Sequence, residues 1–472
     1  MANDKYKLGM IGLGTMGRNL LLNMADHGFP VAGYDKDVAK LDLLESEGQG
    51  KPVKAFGTIN SFVDSLDSPK TIMMLVPAGK AVDAVIRDLE PLLSKGDIVI
   101  DGGNSHFTDT TLRVKQLSEK GLHFFGMGIS GGEEGARNGP SMMPGGDKVA
   151  FHFVEPLLDA IAAKADGSPC VVYIGPGASG HFVKMVHNGI EYAIMQLISD
   201  TYEILRRGLR FNNTQIHQVF SDWNQGRLQS YLLEITSHIF LYKEDNSNDF
   251  LVDVIKDEAK SKGTGKWTTQ VATDVELPIP TIDVAVSMRN LSKYKLLRTT
   301  AARHYSAQEA VPELGNPKEV VPQLEKAFYF SMITIYAQGM HLLSKASNEF
   351  GFDLKLHEIA GIWRGGCIIR AAFLDTIFKA FSSDRTLQHL LLDGDVKNII
   401  NETVGPAREI VSKLVSAGIS APTFASTLGY FDALRSENMP SNLIQAQRDY
   451  FGAHTYELIG KEGTFHSEWK IG

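Results

Sequence analysis

The run Gly12-Leu13-Gly14-Thr15-Met16-Gly17 limits what this chain can fold into more than any other stretch. It follows an apolar run over residues 6–11 and leads into a helical pattern over 16–27. Strand, tight turn and helix in that order open a βαβ unit. Each glycine then has its own role, since the first permits the turn, the second lets the backbone approach a pyrophosphate, and the third packs the helix on the sheet. The helix N-terminus offers unpaired N–H groups and the positive end of its dipole to phosphates. The alternative is a glycine-rich turn that binds nothing; the position between a strand and a helix at the N-terminal end disfavours it. The expected ligand is a nicotinamide dinucleotide.

Further strand-like runs over 30–34, 71–76, 98–101 and 123–127 alternate with helical patterns over 78–92 and 108–120. That alternation predicts a Rossmann-like α/β domain built on a parallel sheet. After a last apolar run over 171–174, Gly175-Pro176-Gly177-Ala178-Ser179-Gly180 reads as a linker whose Ser179 caps the next helix. From there helical periodicity dominates to about residue 436. The expected organisation is a dinucleotide-binding domain over 1–178, a large all-helical domain over 179–436, and a C-terminal tail over 437–472. A chain of 472 residues is long enough for such a division.

Composition excludes several classes. The net charge of −8 is spread along the chain, which leaves no footprint for nucleic acid or an acidic membrane surface. No run reaches the ~18 apolar residues of a membrane span, and the N-terminus lacks a signal-peptide pattern. Two cysteines, Cys170 and Cys367, are too few for a disulfide framework or a zinc site. A soluble cytoplasmic protein without a metal is expected.

The residue ending the second strand selects between cofactors. Here it is Asp35, at the position where a carboxylate accepts hydrogen bonds from the adenosine ribose. A 2′-phosphate would meet a like charge there, and Asp37 adds a second, with Lys36 between them. The residues therefore favour NAD. The alternative is that Asp35 only caps the following turn, a common use of aspartate.

The stretch from Gly180 to Tyr192 is the most informative. At 3.6 residues per turn, Lys184, His187, Asn188, Glu191 and Tyr192 share one face, while Val183, Val186 and Ile190 fall largely elsewhere. Polar stripes are usually solvated. This one contains His, Asn and Tyr rather than exchangeable Glu/Lys pairs, and it begins where a nucleotide-binding domain ends, at the kind of interdomain cleft that holds ligands. Lys184 and Glu191, two turns apart, suit a reaction that needs a base and an acid at different carbons. The lysine must then have its pKa lowered and the glutamate its pKa raised.

Asp101-Gly102-Gly103-Asn104-Ser105, the run from Ser130 to Arg137, the Lys184 helix, the run from Lys262 to Thr268, and the tail from Leu443 to Tyr456 together resemble the decarboxylating 6-phosphogluconate dehydrogenases. The likeness runs in order along essentially the whole chain. It implies oxidative decarboxylation of 6-phosphogluconate to ribulose 5-phosphate and CO2, in the pentose phosphate pathway, with reduction of NAD or NADP. By the resemblance, Lys184 is the base at C3 and Glu191 the acid at C1. Asn104, Ser130, Gly131, Gly132, His187 and Asn188 hold the sugar-acid end, and Asn104 also contacts the cofactor. Tyr192, Lys262, Thr264, Arg289 and Arg448 hold the phosphate, a dianion suited to several converging donors. The family also implies a homodimer whose tail brings Arg448 and His454 into the partner's site, which fits a tail too aromatic for a solvated terminus.

One departure separates this chain from the family pattern. Most members carry an Asn-Arg-Ser/Thr triplet where this chain has Asp35-Lys36-Asp37, and a Val-Lys-Ala-Gly loop where it has Val76-Pro77-Ala78-Gly79. The resemblance implies NADP, whereas these residues favour NAD or use of both. Two other functions compete: a β-hydroxyacid dehydrogenase for a smaller acid, disfavoured by the long helical region and the phosphate handles, and a catalytically silent nucleotide sensor, disfavoured by the intact Lys184 and Glu191.

Overall fold

The computed structural model describes residues 5–245, 247–305 and 313–469. Short apolar runs in the N-terminal third form β1 (Leu8–Ile11), β2 (Val31–Tyr34), β3 (Val53–Phe56), β4 (Thr71–Met74), β5 (Ile98–Asp101), β6 (His123–Ser130) and β7 (Ser141–Gly146). They make one sheet in the order β3-β2-β1-β4-β5-β6-β7, parallel throughout except for β7. Met10, Met73 and Ile100 pack into a core on one face, and Ile11, Ile72, Met74 and Val99 into a core on the other. A sheet covered on both faces explains why its inner strands read as unbroken apolar runs. The strand order reverses between β1 and β4, and the crevice beyond their carboxyl ends is where such sheets bind ligands.

Two strands of this sheet had no expectation in the sequence. β3 is an edge strand of half-buried and exposed residues, with neither an apolar run nor a clean alternation. β7 ends in Pro144-Gly145-Gly146, a turn-like composition, yet it pairs antiparallel with β6. Its glycine serves a close approach: a Cβ on Gly145 would stand 2.2 Å from the backbone nitrogen of Gly180. Likewise a Cβ on Gly128 of β6 would stand 2.3 Å from the Lys184 Cβ. The helix Ser179–Glu203 can therefore lie directly on the β6–β7 edge, and Lys184 is carried there with it.

Ser179 does not cap this helix, contrary to the expectation. Ala178 occupies the N-cap position without a side-chain cap, and Ser179 is the first helical residue. Its buried Oγ has no hydrogen-bond partner. The serine stands one residue inside the helix, buried against β7 and past the N-cap position where a cap could act.

The helical part is built around Pro317–Glu349, whose residues 327–340 are buried all round. A helix apolar on every side must be central. Ser179–Glu203, Gly394–Ala417 and Pro422–Leu434 pack against it. The tail folds into a helix, Ser441–Gly452, followed by a hairpin of Tyr456–Leu458 and Lys461–Phe465. Both are gathered on buried Asp449, which accepts hydrogen bonds from the Thr455 and Ser467 amides and from Trp469 Nε1, and pairs with His466. Leu443, Ile444, Tyr450 and Phe451 remain exposed on the outer face. Cys170 and Cys367 are buried free thiols. Among the described residues, no helix is long and apolar enough to cross a membrane.

Candidate active site

The glycine turn fits a dinucleotide residue by residue. Gly12 has φ +94°, and a Cβ there would lie 2.4 Å from the Leu75 carbonyl oxygen. A Cβ on Gly17 would lie 1.9 Å from the Gly12 carbonyl oxygen, so helix and turn can touch only through glycine. Gly14 faces open space, with no neighbouring atom within 4 Å of where its Cβ would be. It also forms the N-cap of the helix Thr15–Asp26 with no side chain over the helix end. That combination leaves backbone donors clear for a pyrophosphate.

Beside the turn lies a slot of about 390 Å³ lined by Gly12, Gly14, Asp35, Lys36, Val76, Pro77 and others. Thr15 is exposed at the helix start and Ala78 on the turn before Gly79, whereas Leu13 is buried. Asp35 does two things at once. Its carboxylate accepts from the Leu13 amide at 2.8 Å and from the Asp37 amide at 3.0 Å, the second being the turn-capping role. It also lines the slot, with Lys40 Nζ 3.3 Å away. Burial alone would raise its pKa, but the backbone donors and Lys40 outweigh it and hold the carboxyl below its ordinary value. Asp37 caps the next helix through the Ala39 amide. Lys40, unremarked in the sequence because it lies a helical turn beyond Asp35, adds a cation. Lys36 pairs with Asp88 and Lys40 with Asp35, so each cation in the slot has an acidic neighbour.

A second cleft of about 630 Å³ adjoins this turn, with Met16 on its wall. Asn104, Ser130, Gly131, Gly132, Lys184, Asn188, Glu191, Tyr192, Lys262, Thr264 and Arg289 all line it. Ile129, Lys260, Ser261 and Ile368 complete the wall. Lys260 could have been found from its spacing of two to Lys262. Ile368 had no local signal, because it arrives from the far side of the helical domain beside Gly365-Gly366.

The polar stripe on Ser179–Glu203 is buried except for Glu191, which is half-buried. Lys184 is 6% exposed and His187 fully enclosed. His187 sits behind the cleft wall: Nε2 meets Ser130 Oγ at 3.1 Å, and Nδ1 lies 3.1 Å from Asn188 Oδ1 and 3.4 Å from Lys184 Nζ. Ser130 Oγ in turn accepts from the Ile368 amide. Burial lowers the Lys184 pKa, opposed by the negative charge of Glu191. Burial raises the Glu191 pKa, opposed by Lys184 and Arg289. These are the directions a base and an acid need.

Cations gather in the same cleft. Lys260, Lys262 and Arg289 share it with Thr264, the first residue of the helix Thr264–Asp274. The Arg289 guanidinium stacks 3.5 Å above the Tyr192 ring. Three cations and a helix N-terminus suit a phosphate group. Arg448 and His454 are elsewhere: Arg448 is exposed on the tail helix, bonded to Gln445, and His454 packs by Phe451. Within one chain neither lines the cleft.

Known proteins match along the whole chain. Residues 7–175 match the NAD binding domain of 6-phosphogluconate dehydrogenase, and residues 180–469 its C-terminal domain. The NADP(+)-dependent decarboxylating 6-phosphogluconate dehydrogenase of Bacillus subtilis is 50% identical over 466 residues, 99% of each chain. The decarboxylating enzyme of Escherichia coli is 47% identical over 467 residues, again 99% of each. A solved 6-phosphogluconate dehydrogenase of Plasmodium falciparum superposes with a TM-score of 0.95 at 42% identity, over 98% of this chain and 100% of that one. The chain thus belongs to the 6-phosphogluconate dehydrogenase family.

Proposed function

We propose that this chain oxidises and decarboxylates 6-phosphogluconate to ribulose 5-phosphate and CO2, with residues 1–178 serving the cofactor, 179–436 the substrate, and 437–472 a partner subunit. The observation that carries this is the Lys184/Glu191 pair on one helix face, the lysine buried and the glutamate half-buried, with their pKa values displaced toward each other.

The substrate lies with its phosphate on Lys262, Thr264, Arg289 and Tyr192, and its acid end toward Asn104, Ser130, Gly131, Gly132, His187 and Asn188. Neutral Lys184 takes the proton of the C3 hydroxyl as that carbon is oxidised. A nicotinamide dinucleotide, held by Gly12–Gly17, Asp35 and Val76-Pro77-Ala78, supplies the hydride acceptor. The product is a β-keto acid. The Lys184 ammonium formed in the first step donates a hydrogen bond to its ketone oxygen, which draws electron density as the C1–C2 bond to CO2 breaks. As that bond breaks the ammonium passes its proton to the oxygen, which leaves an enediol and a neutral Lys184. Glu191, whose pKa burial raises, delivers a proton to the carbon that has lost CO2 while Lys184 takes the enediol hydroxyl proton, and return of that proton from Lys184 to Glu191 restores both groups. His187, neutral and tied to Ser130, fixes the floor of the site.

Asp35, with both slot cations already facing carboxylates, favours NAD over the 2′-phosphate of NADP. A cytoplasmic homodimer, with Arg448 and His454 supplied in trans, completes the proposal. The test is a single assay with 6-phosphogluconate: one CO2 and one reduced nicotinamide per turnover are expected. Activity on hydroxyisobutyrate alone, or cofactor binding without CO2 release, would replace it.

A further inference from the structure

The cofactor slot and the substrate cleft are lined by different loops, and one buried side chain joins them. Arg113, on the helix Phe107–Ser118, is 4% exposed. Nε donates to Asp83 Oδ1 at 2.8 Å and Nη2 to the Gly79 carbonyl at 3.2 Å. Gly79 ends the cofactor loop Val76–Gly79, and Asp83 lies on the first turn of the helix that follows. On its other side Nη1 donates to Ser105 Oγ at 3.4 Å and lies 3.7 Å from Asp101 Oδ2. Asp101 is wholly buried; it accepts from Ser105 Oγ at 2.6 Å and from the Gly103 amide at 3.0 Å, which fixes the loop carrying Asn104.

The network continues to the catalytic helix. His181, one turn before Lys184, is buried and kept neutral by that burial. Its Nε2 lies 3.0 Å from the Asp101 carbonyl oxygen and its Nδ1 2.6 Å from Thr110 Oγ1. A neutral ring satisfies both: Nε2–H donates to the carbonyl, and Nδ1 accepts from the hydroxyl. None of Arg113, Asp101, Ser105, Thr110 and His181 lines the slot or the cleft. A buried guanidinium with all its geometry spent on two loops is costly unless every arm is paired, so the loops keep one arrangement together.

We propose that Arg113 is a positioning residue that locks the cofactor loop 76–79 to the substrate loop 101–105, so that a change in one is felt by the ligand of the other. This rests on the assignment of the two clefts given above. Lysine at this position keeps the charge but loses the fork, so Arg113→Lys separates coupling from charge.

The test is a double-mutant cycle in the full-length protein, with Asp83→Asn on the cofactor side and Ser105→Ala on the substrate side. Ser105→Ala is expected to weaken NADH binding, followed by fluorescence, about fivefold, and Asp83→Asn to raise the KM for 6-phosphogluconate by a similar factor. In an Arg113→Lys background neither substitution should add a further loss. If each arm disturbs only its own ligand, or if the losses add fully in that background, the proposal is overturned. A lower melting temperature with unchanged NADH affinity and unchanged KM would also overturn it, since that is what a purely structural arginine predicts. The NADH arm needs no substrate. If it holds while 6-phosphogluconate is not turned over, the coupling stands and the substrate assignment falls.

Discussion

Lys184 Nζ stands 3.4 Å from His187 Nδ1, one turn apart on a helix that buries both. Burial, and then the neighbouring lysine, hold the imidazole well below its ordinary pKa. The histidine therefore stays neutral through the physiological range and cannot compete for the proton that the proposed mechanism assigns to Lys184. This leaves Lys184 as the titrating base of the pair.

Replacing Lys184 by Met keeps the length of the chain and removes the amine. Turnover of 6-phosphogluconate should fall about a thousandfold, the scale of a lost general base. Cofactor affinity should hold, because Lys184 lines the substrate cleft and not the slot. Retained turnover would remove lysine from the base role.

The acid can be tested apart from the base. Burial raises the Glu191 pKa, and its role needs the protonated, uncharged form. Glu191→Gln is uncharged at every pH, so in a plot of kcat against pH the limb that reports loss of the proton from Lys184 should stay where it is. The limb where Glu191 gives up the proton it must deliver should vanish, and kcat should fall. A second limb that persists, or an unchanged kcat, would break the assignment.

How legible was this site in the sequence? The glycine turn and the Lys184 stripe were both visible because each is local: one needs six residues, the other a helical period. The sheet was visible where strands are buried on both faces and lost at β3 and β7, where edge position or close packing replaces apolar residues with lysine, proline and glycine. Gly128 and Gly145 look like breaks in a pattern, yet they are what lets Lys184 reach the cleft. Ile368 and the Arg113 network were invisible, since they depend on residues brought together from distant segments. The place of Asp35 at the end of β2 could be read from the residues alone, but its bond to the Leu13 amide could not.

That bond shapes the cofactor test. With the wild-type chain, kcat/KM should be higher with NAD than with NADP. Asp35→Asn keeps an oxygen for the Leu13 amide and removes the charge. It should shift the NAD/NADP ratio toward NADP by about tenfold, the equivalent of ~1.4 kcal/mol. A strong NADP preference in the wild type, or no shift on substitution, would sink the NAD preference.

Farther along the Lys184 helix, Asp200 is buried and accepts from the Thr423 amide at the head of Pro422–Leu434. Burial, partly offset by Gln196 and Thr423, pushes its pKa up to about 6. A carboxyl whose pKa is higher folded than unfolded favours folding at acid pH, and that advantage is lost as pH rises from the unfolded value through the folded one. Asp200→Asn should therefore stabilise the protein near neutrality and do little below the ordinary carboxyl range. Melting curves at both pH values check this; a loss of stability near neutrality would show that the charged form is what the helix end needs.

The tail offers the last test, because Arg448 and His454 lie outside the cleft of their own chain. The exposed Leu443, Ile444, Tyr450 and Phe451 flank Arg448 on the same short helix, an apolar surface suited to burial against a second subunit. If Arg448 acts in trans, Arg448→Ala and Lys184→Met are each impaired as homodimers but complement one another when mixed. In the mixed dimer, the site on the Arg448→Ala chain keeps its own Lys184 and receives an intact Arg448 from the partner. Random pairing then restores about a quarter of the sites. Activity measured after unfolding the two variants together and refolding them should exceed the sum of the two refolded alone. If no excess appears although mixed dimers form, Arg448 does not act in trans.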